Sequence, residues 1–161
     1  MKNHDKTNAM RILDRAKISY ESFSYEQDPS MSGAEIAGIL HEDVSLVFKT
    51  LVTLAKSGQH YVFVIPVAAE LDLKKAAKAA GEKSISMLKQ KELLPTTGYV
   101  HGGCSPLGMK KVFPTFLDES AKDCRTIYVS AGKLGRQIAL SPEDLKKVLR
   151  FQYADVTVQI S

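Results

Sequence analysis

The segment VFKTLVTLAKSGQHYVFVIPV, residues 47–67, constrains this chain more than any other stretch. Two runs rich in β-branched and aromatic residues flank Lys56-Ser57-Gly58-Gln59, which reads as a turn. Because the runs are apolar at nearly every position, they predict two strands buried on both faces, at the centre of a sheet. Lys49 breaks that pattern. Apart from two threonines, all its neighbours from Leu46 to Leu54 are apolar. Strand alternation sets Lys49 on one face with Leu51 and Thr53, opposite Phe48, Thr50 and Val52. A buried ammonium is costly unless it is paired or used, whereas a lysine near a strand end can extend its stem to water. The pattern alone supports a functional lysine and a snorkelling one equally.

Around this hairpin the chain alternates short helices and strands. Met10, Leu13 and Ala16 recur at helical spacing over 8–17. In ISYESFSYEQDP, Ile18 and Tyr20 share one face and Phe23 and Tyr25 the other, which predicts a strand with a bulge near Ser22 and a turn at Asp28-Pro29. Tyr25 falls at the strand's end. Ser32 and Glu35 have capping-box spacing before Ile36, Ile39 and Leu40. LDLKKAAKAAGEKS predicts a helix capped by Asp72 and ended by Gly81. ISMLKQKELLPTTG predicts a strand remnant and a helix ending before Pro95. RTIYVSAG and RQIAL read as a strand, a glycine turn and its return. Ser141-Pro142 starts a last helix, and DVTVQI reads as a closing strand.

Composition narrows the classes of function. At 161 residues, with 44% hydrophobic and 25% charged residues, the chain suits one globular domain. No apolar run approaches the ~20 residues that span a bilayer, and MKNHDKTNAMRILDRAKI lacks a signal-peptide core, so a cytoplasmic protein with no membrane role is expected. Cys104 and Cys124 have no zinc spacing, and His4, His41 and His60 form no metal motif, so no metal or cofactor is expected. The net charge of +4 is modest, but Lys74, Lys75, Lys78, Lys83, Lys89 and Lys91 lie close together, and Lys110 and Lys111 follow. Either a polyanion surface or a solvated helix face would look like this.

The run GYVHGGCSPLGMKKV, residues 98–112, holds four glycines. It matches no nucleotide-binding motif. Gly102-Gly103 and Pro106-Leu107-Gly108 could simply turn the chain, or the loop amides and Ser105 could hold a phosphate or a developing oxyanion. Cys104 has no histidine partner motif, which favours a packing residue over a nucleophile. YVSAGKLG, residues 128–135, adds a second glycine turn with Ser130 at a strand end, where its hydroxyl could face a pocket or serve only a hairpin.

FKTLV at 48–52, LDLKKAAKAAG at 71–81, TGYVHGGCSPLGMKK at 97–111 and IYVSAGKLG at 127–135 together resemble the YbaK/EbsC family in order and approximate spacing. The resemblance covers nearly all of residues 1–161 and implies a single editing domain. Members are aminoacyl-tRNA editing deacylases, best known for Cys-tRNA(Pro), and are related to the editing insertion of bacterial prolyl-tRNA synthetase. The resemblance implies an α/β fold with a mixed, curved, barrel-like sheet of six to seven strands flanked by short helices. It makes Lys49 the essential, catalytic lysine. Tyr25, Thr50, Gly102, Gly103 and Ser130 become substrate-binding positions, beside the Ser105 of the loop. The implied partners are mischarged tRNA(Pro) and prolyl-tRNA synthetase. The implied chemistry is attack by the substrate's own thiol on its ester, releasing a thiolactone. Hydrolysis of Ala-tRNA(Pro) and non-catalytic binding of tRNA or synthetase are the alternatives. Two departures stand out: Ala131-Gly132-Lys133-Leu134-Gly135 replaces a frequent GGKRG turn, and Gln137 stands where some members are acidic.

Overall fold

The computed structural model describes residues 6–26 and 30–159. At its centre β2 (Phe48–Ala55) and β3 (His60–Pro66) form the expected antiparallel hairpin, with Lys49 opposite Ile65 and Thr50 opposite Val64. Gly58 closes the turn at φ 95°, a left-handed conformation that glycine adopts without strain. Burial on both faces follows the apolar runs. Val62 and Val64 face a core that includes Ala9, Met10 and Leu13 of α1 (Asn8–Arg15), while Phe63 and Ile65 face Ala76 and Ala77 of α3 (Leu73–Ala80).

A five-stranded sheet runs β4 (Ile85–Met87), β2, β3, β5 (Thr115–Asp118), β8 (Gln152–Ala154), and β5 is parallel to both neighbours. A second, three-stranded sheet runs β1 (Glu21–Ser24), β7 (Arg136–Leu140), β6 (Ile127–Ser130), all antiparallel. The mixed α/β class agrees with expectation, but the barrel-like sheet of six to seven strands does not. Eight strands in two sheets are present among the described residues, and no barrel closes. The cause lies at β2, one edge of which is filled by β3. The other edge is divided: β4 pairs with Thr53–Ala55, and β6 touches the opposite end through an isolated parallel bridge between Val47 and Tyr128.

Local chemistry sets most element ends. Ser32 and Glu35 form the reciprocal capping box of α2 (Gly33–Ile39). Asp72 accepts from the Lys74 and Lys75 amides, and Gly81 ends α3 at φ 72°. Ser141 caps α5 (Pro142–Val148) by accepting from the Asp144 amide.

Three local expectations fail. No bulge interrupts β1, which keeps regular register from Glu21 opposite Ala139 to Ser24 opposite Arg136; Ile18 and Tyr20 simply precede the strand. The turn expected at Asp28-Pro29 lies outside the described residues. Helix α4 (Gln90–Thr97) runs through Pro95 and ends at Gly98, whose amide reaches the Leu94 carbonyl, while the Thr97 hydroxyl donates to the Leu93 carbonyl. In so short a helix the proline removes one late hydrogen bond, which these contacts offset. The closing strand is also displaced: β8 precedes DVTVQI, from which Thr157 bridges Leu71.

Phe63 is fully buried and stacks on Phe116 with ring centroids 5.3 Å apart. Phe63→Ala should therefore cost roughly 3–5 kcal/mol. Val112, 95% exposed, is the control, and Val112→Ala should change stability by less than about 0.5 kcal/mol. Urea denaturation of both variants checks this.

Candidate functional site

The Val47–Tyr128 bridge extends the side-chain parity of β2 into the smaller sheet, because bridged residues project to the same side. Two residues on, Lys49 follows Val47 and Ser130 follows Tyr128. Ser130 is opposite Gln137, and Gln137 is opposite Phe23. Tyr25 keeps the parity of Phe23 and donates its backbone N–H to the Gly135 carbonyl at 3.0 Å. Lys49, Ser130, Gln137 and Tyr25 thus share one continuous sheet face, although more than a hundred residues separate the first and last of them along the chain. Thr50 alternates to the other face with Phe48 and Val52, where its hydroxyl is buried without a partner.

Helix α2 approaches this region. A Cβ on Gly33 would come within 2.7 Å of Val67 Cγ1, so the helix start can pack this closely only with glycine. At the other end, His41 adopts φ 57° and turns the chain back, with the Glu42 amide bonded to the Ala37 carbonyl at 2.9 Å. The Gln137 side-chain amide acts on Glu42 as a hydrogen-bond donor, and the Glu42 charge acts on Tyr25 and Tyr128. The two Glu42 carboxylate oxygens are buried, and among the described residues neither meets a donor at full hydrogen-bond geometry. Burial dominates and raises the carboxyl pKa, opposed by the hydrogen-bonding Gln137 amide, which favours the ionised form. Burial likewise raises Tyr25, opposed by the Gly135 amide and reinforced by Glu42. Lys49 is half-buried; desolvation lowers its pKa while Glu70 acts the other way.

The glycine loop closes on the β6–β7 turn rather than on Lys49 itself. Gly102 has φ 87°, and a Cβ there would meet Leu134 Cδ2 at 2.8 Å; one on Gly103 would lie 3.1 Å from the Leu134 amide nitrogen. Gly132 donates to Ser130 Oγ at 3.1 Å, tying the turn to the site's hydroxyl. Between loop and turn runs a groove lined by Gly98, Tyr99, Val100, Gly132, Lys133 and Leu134. Ser105 is fully buried and its hydroxyl accepts from the Leu107 amide at 3.2 Å, so it organises the loop internally. Cys104 belongs to the α1-side core, and burial pushes its thiol pKa up to about 12.

Sequence reasoning missed Glu42. HEDV reads as a polar connection, and no periodicity marks one of its acids as buried. A second concavity, lined by Asp118, Glu119, Asp123 and Asp155, shares no residue with the lysine face, and its acids would repel phosphates. Among the described residues no cluster of His, Cys, Asp and Glu could hold a metal ion, and no helix is long and apolar enough to cross a membrane.

Fold and face define a mixed α/β domain whose candidate site combines a half-buried lysine and hydroxyls beside a close-packed glycine loop. The chain belongs to the aminoacyl-tRNA editing domain family, whose sequence model matches residues 28–148. It is 45% identical over 159 residues, 98% of this chain and 97% of the relative, to the Enterococcus faecalis protein named "Putative Cys-tRNA(Pro)/Cys-tRNA(Cys) deacylase EbsC". It is 27% identical over 143 residues, 86% of each chain, to the "Prolyl-tRNA editing protein ProX" of Acetoanaerobium sticklandii. The solved structure of "a putative trans-editing enzyme for prolyl tRNA synthetase" superposes with a TM-score of 0.82 at 21% identity, covering 96% of this chain and 100% of that one. That last likeness concerns the fold alone.

The raised carboxyl pKa of Glu42 makes a signed prediction. A carboxyl with a folded pKa above its ordinary value of 4.5 leaves stability intact below that pH and removes it as pH rises through the folded pKa. Glu42→Gln should match wild type in thermal stability near pH 4 and exceed it near pH 8. Melting curves at the two pH values check the sign.

Proposed function

We propose that this single domain is a cytoplasmic trans-editing deacylase that removes cysteine from mischarged Cys-tRNA(Pro), working alongside prolyl-tRNA synthetase. The observation that carries the reading is the make-up of the lysine face. It offers a cation, Ser130 and Tyr25, while the Cys104 thiol is buried in the core and held protonated. Such a site suits a substrate that brings its own nucleophile. The 45% identity to the E. faecalis relative over nearly the full chain supports the same substrate class.

In the proposed reaction the substrate's cysteine sulfur attacks its own ester carbonyl. A sulfur–carbon bond forms, the bond from carbon to the tRNA ribose oxygen breaks, and the thiol proton passes to that oxygen. The four-membered thiolactone then hydrolyses in water. The protein supplies position and charge. Lys49 anchors the terminal phosphate or stabilises charge at the ester. The Gly102 amide holds the carbonyl while Gly103, whose N–H donates to the Val100 carbonyl at 3.0 Å, shapes the loop, and Tyr25, Thr50, Ser105 and Ser130 shape the pocket directly or through its walls. Such editing has a physical rationale: packing discriminates between side chains of similar size by only ~10- to 200-fold, so a second site restores accuracy.

The test is deacylation of Cys-, Ala- and Ser-charged tRNA(Pro). Wild type should act on the cysteinyl form, and S-methylation of that cysteine should abolish turnover; preferential release of alanine would replace the thiolactone route by water attack. Lys49→Ala should lower kcat by roughly 10²–10³-fold in a folded protein. Cys104→Ala should stay within a few-fold of wild type, and a loss of about 100-fold would restore a protein nucleophile.

The basic surface requires one revision. Lys75 is committed to Asp155 at 3.1 Å and to the Thr157 carbonyl at 2.9 Å, so it holds α3 to the chain's end. Lys74, Lys78 and Lys111 are exposed. Reversing these three charges should raise KM much more than it lowers kcat and should flatten the salt dependence of binding by roughly one unit of slope per lost phosphate contact. Steady-state kinetics at two salt concentrations provide the check.

A further inference from the structure

The lysine face carries an imbalance of acceptors. Among the described residues, both Glu42 carboxylate oxygens and the Gln137 Oε1 are buried with no donor at full hydrogen-bond geometry; the Gln137 side-chain amide near Glu42 is neutral and brings no charge, and Gln137 as a whole is 5% exposed. Buried acceptors normally find partners, and an ionised one left alone is expensive. The surroundings deepen the negative field: Glu21, Glu42 and Asp43 all act on the Tyr128 hydroxyl. The neighbouring cations are engaged elsewhere. Arg136, next to Gln137, alternates to the other face and sets its Nη2 3.7 Å from Met10 Sδ, while Lys49 is opposed by Glu70. What this corner lacks is a compact group with several N–H donors and a positive charge. An ammonium has three such donors.

We propose that Glu42, with the Gln137 side chain beside it, binds the α-ammonium group of the aminoacyl ester. The inference rests on the deacylase reading and specifies which part of the substrate lies at the α2 end of the site. An ammonium shared between these acceptors fixes the amino acid's Cα. That leaves its ester directed along the same sheet face toward Ser130 and Lys49. Every α-amino acid carries the group, so Glu42 selects for a free amino terminus and leaves side-chain choice to the rest of the pocket. It would also exclude esters whose amine is already acylated, such as peptidyl- or formylaminoacyl-tRNA, because an amide at that position brings no charge and a single donor.

The experiment compares Cys-tRNA(Pro) with N-acetyl-Cys-tRNA(Pro) on wild type, Glu42→Gln and Glu42→Ala, each verified as folded by its melting curve. Wild type should favour the free amine, and Glu42→Gln should raise KM for the free amine by roughly 10- to 100-fold, the usual loss for a hydrogen bond to a charged group. KM for the acetylated ester should be unchanged. Equal losses on both esters would overturn the proposal in favour of a general-base or purely structural Glu42, and unchanged kinetics on both would overturn it outright. If wild type releases amino acid from neither, the deacylase reading fails. Binding then decides the inference alone: an amide-linked cysteinyl minihelix and its N-acetyl form are titrated against wild type and Glu42→Gln. Loss of wild-type preference for the free amine in the variant supports the proposal, and equal affinities throughout overturn it.

Discussion

The bridge between Val47 and Tyr128 joins the two sheets, and the site depends on that junction. Side chains of paired residues project to the same side, so one bridge is enough to carry the parity of Lys49 across to Ser130, then through regular pairing to Gln137 and to the end of β1. A shift of one residue would move Lys49 to the opposite face from these groups. The hydrophobic burial of Phe48 and Val52 on the other side resists that shift, since it would exchange a core residue for an ammonium.

The glycines act as spacers at a second junction. Gly102 lets the 98–112 loop pack against Leu134 at a distance no Cβ would permit, while a Cβ on Gly103 or on Gly132, which lies beneath Tyr99, would be crowded at 3.1 Å from the Leu134 nitrogen or 3.0 Å from the ring. The loop is held from its other side by core residues: Leu107 is buried, and the Tyr99 hydroxyl donates to its carbonyl. The loop's backbone is therefore fixed by packing on its inner edge and by internal hydrogen bonds such as that from the Gly103 amide to the Val100 carbonyl.

Charge is divided by task. The outward lysines Lys74, Lys78 and Lys111 remain exposed to water, where a positive charge costs little. Lys75 has been drawn into the fold by Asp155. Lys49 and Glu42 are the half-buried exceptions, of opposite sign and on one face, and each is shifted by desolvation toward its neutral form. Groups in that condition gain most from a ligand that restores the missing partner.

Much of this architecture was legible in the order of residues. The central hairpin, the caps at Ser32, Asp72 and Ser141, the stop at Gly81 and the oddness of Lys49 follow from local rules: apolar runs without polar relief, hydroxyls and carboxylates one turn before amides, and glycine where φ is positive. The family resemblance of four segments likewise needed no coordinates. Tertiary structure alone decided the division of β2's second edge, which replaced a barrel with two sheets. It also turned Lys75 from a phosphate candidate into a brace and buried Glu42. Each of these depends on a partner distant in sequence, such as Tyr128, Asp155 or Gln137. Local patterning specifies which groups a segment offers, but pairing between distant segments determines which of them meet and which lose their water.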